Sequence, residues 1–461
     1  LIRLSKLGDV KDSLAILEST SNRAHLSQNP DACTLAQRLE GLPLALSTAG
    51  AYLNQVSTTC AEYLRLYDES WLRLQRESPQ LLEYDQALYS TWGVSFNHVQ
   101  QQSRGAAMLL RLWAYFDNED LWYELLQEGG SEGPVWLQDI TEDTLSFNAT
   151  MRLLCEHGLV EADPTSNETG GESPGYSVHG CVHSWMMHVL NTGIDEEMSL
   201  TAMRCVASHV PSNEQQEYWT VQRRLLQHGD RCITRTATDA AGEKDAWMFH
   251  KLGNLYLDQG RLKEAEAMYV RALQGYEKAL GPDHTSTLDS VECLGTLYSK
   301  QDRLKEAEAM YVRALQGYEK AWGPDHTSTL NTVNNLGALY YNQGRFKEAE
   351  AMYVRALQGY EKALGPDAIR TYIPALNTLE NLGSLFTKLG ENSKAVSFYQ
   401  RAQNGFLSVS GPKNKRYTCI SDKISSLQPC TQEVDISPCI EKPGRGLKAR
   451  WKRLTGHMKG T

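Results

Sequence analysis

No G-x-x-x-x-G-K-[ST] loop and no H-E-x-x-H pair occurs anywhere in the 461 residues. The first absence removes the backbone amides and the lysine that cradle the phosphates of a nucleoside triphosphate; the second removes the usual zinc-held water of a protease. The chain as it stands is therefore expected to be no enzyme and to hydrolyse no ATP. Its ten cysteines contain no C-x-x-C pair, so free thiols and a cytoplasmic setting are expected. The cluster His179, Cys181, His183 and His188 matches no two-pair zinc spacing, and no metal is expected there. Apolar runs are short. LPLALSTAGAYL (42–53) falls well below the ~20 residues that cross a bilayer, and no secretory leader opens the chain, so no membrane span is expected. Cations are scarce between 81 and 200, where three Arg and no Lys stand against nineteen Asp or Glu. Duplex DNA is bound by neutralising its phosphates, so this stretch is expected to bind no DNA.

What is present is repetition. LKEAEAMYVRALQGYEKALGP (262–282), LKEAEAMYVRALQGYEKAWGP (304–324) and FKEAEAMYVRALQGYEKALGP (346–366) recur every 42 residues and differ at two positions. Such a period marks a solenoid of stacked helix pairs, because one pair cannot bury its apolar face alone. Each copy follows a second helical segment: WMFHKLGNLYLDQGR (247–261), DSVECLGTLYSKQDR (289–303) and NTVNNLGALYYNQGR (331–345). Leu252, Gly253 and Tyr256 recur in register within these segments, and Ala265, Tyr269 and Ala272 within the copies. Small residues opposite aromatics let two helices approach closely. A degraded fourth unit, with Gly383, Ala395, Tyr399 and Ala402, reads as a terminal cap.

The pattern resembles the lengthened tetratricopeptide repeat of kinesin light chains and fungal proteins, over roughly 245–408. Between the second and third copies, eight first-helix positions differ, while the second helix is almost invariant. Five of the changes (289, 292, 296, 299 and 300) follow i, i+3, i+4 steps and share one helix face. In the resembled family that face lines the peptide groove, so a diversified binding surface on a copied scaffold is expected. The expected groove residues are His250, Asn254, Glu292, Thr296, Asn334, Ala338, Tyr341, Asn342 and Glu380.

The first 200 residues carry a second resemblance. Gly41-Leu42-Pro43-Leu44-Ala45-Leu46, preceded by IRLSKLGDVKDSLAIL (2–17), is similar to the GLPLAL segment of NB-ARC modules, the nucleotide switch of NOD-like (STAND) receptors. TLSFNATMRLLCEHG (144–158), LVEAD (159–163), a Gly/Ser/Pro-rich loop and YSVH (176–179) follow the order of the winged helix of the same module. Val182-His183-Ser184 falls where that family carries a Met-His-Asp motif, with Ser184 in place of the acid. By this resemblance Pro43 packs against the adenine of ADP and His183 contacts its β-phosphate. ADP or ATP is implied for an intact receptor only, since the chain is read as lacking its N-terminal part and no cofactor is assigned to it as it stands.

The expectation is thus a mostly α chain. It comprises a C-terminal helical part of an NB-ARC module (1–80), a winged-helix domain (81–200), a helical linker (201–240), about 3.5–4 tetratricopeptide repeats (241–410) and a basic, unstructured tail (411–461). Its expected role is the sensor part of a STAND receptor, binding a protein or peptide ligand, with homo-oligomers formed by the intact receptor. The alternative is a kinesin-light-chain-like cargo adaptor. Such adaptors lack GLPLAL and the winged helix and carry a sustained heptad coiled coil, which is not seen here.

Overall fold

The structure, a computed structural model, describes residues 7, 9–77, 83–130, 133–163, 173–193, 195–212, 218–235, 243–412 and 415–427. It divides into a unit of residues 1–366 and a second of residues 367–461. The fold is all-α apart from one small hairpin among the described residues.

The first unit opens with α1 (Val10–Ser21), α2 (Pro30–Arg38), α3 (Pro43–Gln55) and α4 (Cys60–Glu77). Their starts are written locally: Asp9 and Asn29 accept backbone N–H groups as N-caps, and Pro30 and Pro43 occupy first helical positions, where a missing N–H costs nothing. Then come α5 (Glu83–Gln102), α6 (Arg104–Trp113), α7 (Tyr123–Gly130), α8 (Val135–Thr141) and α9 (Thr144–Glu156). The strands β1 (Glu161–Ala162) and β2 (Tyr176–Ser177) pair antiparallel, and α10 (Gly180–Trp185) and α11 (Glu196–Ser208) follow. Trp92, Trp113, Trp122, Tyr63, Tyr67 and Tyr115 are buried in this half. Helix, strand, loop, strand, helix is the order read from the sequence.

Next, α12 (Tyr218–Arg235) leads into helix pairs: α13 (Ala246–Asp258) with α14 (Leu262–Leu280), α15 (Thr285–Lys300) with α16 (Leu304–Trp322), and α17 (Thr327–Asn342) with α18 (Phe346–Ala368). The repeated Gly and Tyr lock each pair together. A Cβ on Gly253, Gly295 or Gly337 would lie 2.6, 3.0 or 2.9 Å from the ring of Tyr269, Tyr311 or Tyr353. The G-P-D-H linker is also explained. Gly281 and Gly323 end their helices at φ 92° and 91°, a backbone that side chains disfavour, and His284 and His326 cap the next helix through Nδ1.

In the second unit α19 (Ile373–Lys388) pairs with α20 (Asn392–Ser410), and Gly383 lies against the Tyr399 ring as in the other pairs. One expectation is corrected here. The tail is not unstructured from 411: residues 415–427 form a helix, α21 (Lys415–Leu427), which buries Ile420 and Ile424. Their i, i+4 spacing is an amphipathic signal short enough to pass unnoticed in polar sequence. The basic residues Lys442, Arg445, Lys448, Arg450, Lys452, Arg453 and Lys459 lie outside the described residues.

Candidate functional site: the first-helix face of the repeats

The first helices of successive pairs meet through polar side chains. His250 Nδ1 lies 3.0 Å from Ser290 Oγ, joining α13 to α15, and Asn335 Nδ2 donates to Glu292 at 2.8 Å, joining α17 to α15. Within pairs, the Tyr269 hydroxyl donates to Asn254 Oδ1 at 2.7 Å, and the Tyr311 hydroxyl shares a 3.0 Å hydrogen bond with Thr296. His250, Asn254, Glu292, Thr296, Asn334, Ala338 and Tyr341 are half-buried, and Asn342 is exposed. The Tyr341 ring packs 5.8 Å from that of Phe346.

The middle of this face is electrostatically unusual. Burial pushes the Glu292 carboxyl up to about 7, despite hydrogen bonds from Thr332 and Asn335 that favour its ionised form. Asp289 stands beside it and accepts the Tyr318 hydroxyl at 2.5 Å. Burial also lowers the pKa of His250, favouring the neutral ring. Position 289 falls on the face expected from the sequence, whereas Asn335, one of the eight positions that differ between copies, lies outside the five assigned to it.

Outside this face, periodic ion pairs tie neighbouring repeats together. Arg303 bonds Glu266 of the preceding repeat at 2.8 Å and Glu306 of its own at 2.6 Å, and Arg345 does the same with Glu308 and Glu348 at 2.9 and 2.6 Å. Each guanidinium lies 4.0 Å over a tyrosine ring, Tyr298 or Tyr340. Arg261, in the first repeat, uses Asp230 of α12 instead, at 2.6 Å. The rest of α12 is anchored to the α1–α11 half. Arg224 bonds both carboxylate oxygens of Asp120 at 2.8 Å and lies 3.9 Å over the Trp122 ring. Buried His228 accepts the Asp117 N–H at Nδ1 and reaches the Asp120 carbonyl through Nε2. The segment expected to be a linker is thus a packed junction helix. Its Asp117, Asp120 and Trp122 partners are over a hundred residues away in sequence, so local pattern does not reveal them.

In the second unit Glu380 is already engaged: its carboxylate bonds Lys423 of α21 at 2.7 Å. Arg416 of the same helix donates to Asn377. Asn377 and Glu380 hold the places in α19 that Asn331 and Asn334 hold in α17, so a segment of the chain itself lies on the fourth unit's first-helix face.

The residues tied by resemblance to nucleotide sit as follows. Pro43 is half-buried at the first position of α3. Before it, Gly41 adopts φ 66° and its carbonyl accepts the Leu7 N–H at 2.9 Å; a Cβ there would come within 2.7 Å of the Leu7 oxygen. His183 is buried in α10, with Nε2 3.3 and 3.1 Å from the Trp113 and Phe116 carbonyls that close α6. Both partners are acceptors, so Nε2 carries the proton, and burial keeps the ring neutral. Ser184 is half-buried beside it. Among the described residues no group of His, Cys, Asp or Glu is arranged to hold a metal ion, and no helix is long and apolar enough to cross a membrane.

Comparison with known proteins bears on the repeats first. A tetratricopeptide-repeat family model matches residues 244–320, 287–362 and 328–408. Residues 244–408 are tetratricopeptide repeats. Such repeats serve protein–protein interaction. Over 293 residues the chain is 26% identical to a nucleotide-binding leucine-rich repeat (NLR)-like protein of Hyaloscypha variabilis, covering 61% of this chain and 28% of that one. The chain therefore spans little more than a quarter of this relative's length. Among solved structures, a STAND protein with a tetratricopeptide-repeat sensor from Pyrococcus horikoshii is 14% identical at a TM-score of 0.36, covering 91% of this chain and 63% of its own. A putative kinesin light chain of Podosopora anserina with nearly identical repeats is 17% identical at a TM-score of 0.35, covering 40% and 85%. The tetratricopeptide repeats read from the sequence are borne out by the repeat match, and the resemblance to NOD-like receptors is met by this likeness to an NLR-like protein.

Proposed function

We propose that this chain is the sensor part of a STAND-type receptor, and that it binds a protein or peptide ligand on the face formed by α13, α15 and α17. One observation carries the reading: near-identical repeats keep their packing residues and vary mainly where first-helix side chains are half-buried or exposed. Drift on a merely solvated surface would alter the second helices too, yet Lys263, Lys305 and Lys347, exposed there, are identical in all copies. The helix–hairpin–helix order of α9, β1, β2 and α10 supports a winged-helix reading of 81–200. In the intact receptor, Pro43 and His183 would belong to an ADP-responsive switch, with α12 joining it to the sensor and nucleotide exchange leading to homo-oligomers. His183 holds the end of α6 here, so its switch role would act through that helix end.

The test is ligand binding by the full chain carrying Asn334→Ala, Tyr341→Ala or Asn342→Ala, beside Lys305→Ala and Lys347→Ala on second helices. The first set is expected to weaken binding at least fivefold with unchanged circular dichroism, and the second to leave it intact. Equal effects of the two sets would refute the assignment of the face.

A further inference from the structure

The third repeat departs from its copies at one spot. In three of the four pairs, the tyrosine that packs on the first-helix glycine has its hydroxyl bonded by the residue immediately after that glycine. Asn254 takes Tyr269, Thr296 takes Tyr311, and Ser384 takes Tyr399, at 2.7, 3.0 and 3.0 Å. In the third pair the same position is Ala338, which offers no polar atom. Tyr353 holds the same pose over Gly337 that Tyr311 holds over Gly295, with a ring 2.9 Å from a built Cβ against 3.0 Å, and is 98% buried. No side chain among the described residues hydrogen-bonds its hydroxyl. The ring is buried, but the hydroxyl oxygen is not among the sealed, unpaired polar atoms, so its bond is open to a partner from outside the chain.

Two other departures fall beside it. Ser299 of the second repeat becomes Tyr341, and Leu304, constant in the first two copies as Leu262 and Leu304, becomes Phe346. These two new rings pack on each other, and the Tyr341 phenol is the electrostatic neighbour of Tyr353. Helix α17 as a whole, TSTLNTVNNLGALYYN, carries no charged residue, whereas the matching stretch of α15 holds Asp289, Glu292 and Lys300. A loss of polar bulk, a gain of two aromatic walls and an open donor thus coincide on an uncharged helix.

We infer that the third repeat holds the specificity subsite of the ligand face: the Tyr353 hydroxyl donates to a backbone carbonyl of an extended peptide, and an uncharged apolar side chain of that peptide sits over Ala338 against Tyr341 and Phe346. This rests on the ligand-face reading above. A phenol donates to a carbonyl, Asn342 can both donate to and accept from a peptide backbone, and an uncharged surface gives a charged side chain nothing to pair with. The apolar preference follows from the two rings.

The repeats themselves provide the variants, because their residues already fold on the same scaffold. The full chain would be used to select from a displayed library of random twelve-residue peptides, and the affinity of a selected peptide measured by fluorescence polarisation. Selected peptides are expected to share one apolar residue flanked by uncharged ones. Ala338→Thr, which restores the second repeat's partner for the tyrosine, is expected to weaken binding tenfold or more. Tyr353→Phe is expected to weaken it about two- to tenfold, the range of one neutral hydrogen bond. Thr296→Ala with Ser299→Tyr is expected to create a second subsite in repeat two and to raise the peptide stoichiometry. If peptides bind and respond to Asn254→Ala or Thr296→Ala but not to Ala338→Thr or Tyr353→Phe, the ligand face stands and this subsite is overturned. If no peptide is selected at all, both fall.

Discussion

Glu292→Gln should remove a pH dependence that the repeats carry in their middle. The carboxyl titrates near 7 in the folded chain, against 4.5 when free, because burial on the α15 face disfavours its charge. The folded state therefore holds this proton more tightly than the unfolded state does. Its stability is highest while both states are protonated, below about pH 4.5, and declines as pH rises to about 7. At about 1.4 kcal/mol per pH unit the gap gives a ceiling of about 3 kcal/mol, with relaxation and water entry leaving about 1–3 kcal/mol. Glutamine keeps an acceptor oxygen for Asn335 and Thr332 but cannot ionise. The variant should match the wild type at pH 4.5 and exceed it by about 1–3 kcal/mol at pH 8. Hydrogen exchange of α15 and α17 amides, corrected for the intrinsic rate, would read this directly. His250 acts with the opposite sign at low pH, since its buried neutral ring must charge, but it is common to both proteins and cancels in the difference. If the two proteins show the same protection at pH 8, the assignment of a desolvated carboxylate at 292 is refuted.

Other expectations test the scaffold. Gly337→Leu would drive a side chain into the Tyr353 ring, already 2.9 Å from a Cβ, and should cost about 1–3 kcal/mol or more, seen as loss of helical circular dichroism on heating. Arg224→Ala removes both bonds to Asp120 and the Trp122 stack, and should destabilise α12 by about 2–3 kcal/mol, raising exchange there before the repeats respond. Lys423→Ala leaves Glu380 without its partner, and should loosen α21 in limited proteolysis while the helices of the first three repeats stay protected. His183→Ala should loosen the end of α6, removing the Nε2–H shared by the Trp113 and Phe116 carbonyls while Trp113 keeps the Phe116 N–H, at a cost of about 1–3 kcal/mol.

The repeats were legible because their signal is internal and local. Glycine, tyrosine and alanine recur at one period, and the structure gives each a contact within its own pair. The face was legible for a different reason: two near-copies act as their own comparison, and substitutions at helical spacing mark one side. Three things were not legible. The junction α12 depends on Asp120 and Trp122, about a hundred residues earlier. The engagement of Glu380 depends on α21, whose apolar stripe amounts to Ile420 and Ile424. The open Tyr353 hydroxyl is a mismatch between helices, since Ala338 looks like an ordinary small residue until Thr296 is seen bonded to Tyr311.

The central claim is that ligand contacts the first-helix face, and photo-crosslinking from single positions tests it most directly. A benzophenone side chain would replace Asn342 on α17 or Lys347 on α18, both exposed, in the full chain within its native cells. A discrete crosslinked partner from position 342, lost when Tyr341→Ala is added, and none from 347, is the predicted result. Partner captured from 347 alone would contradict it.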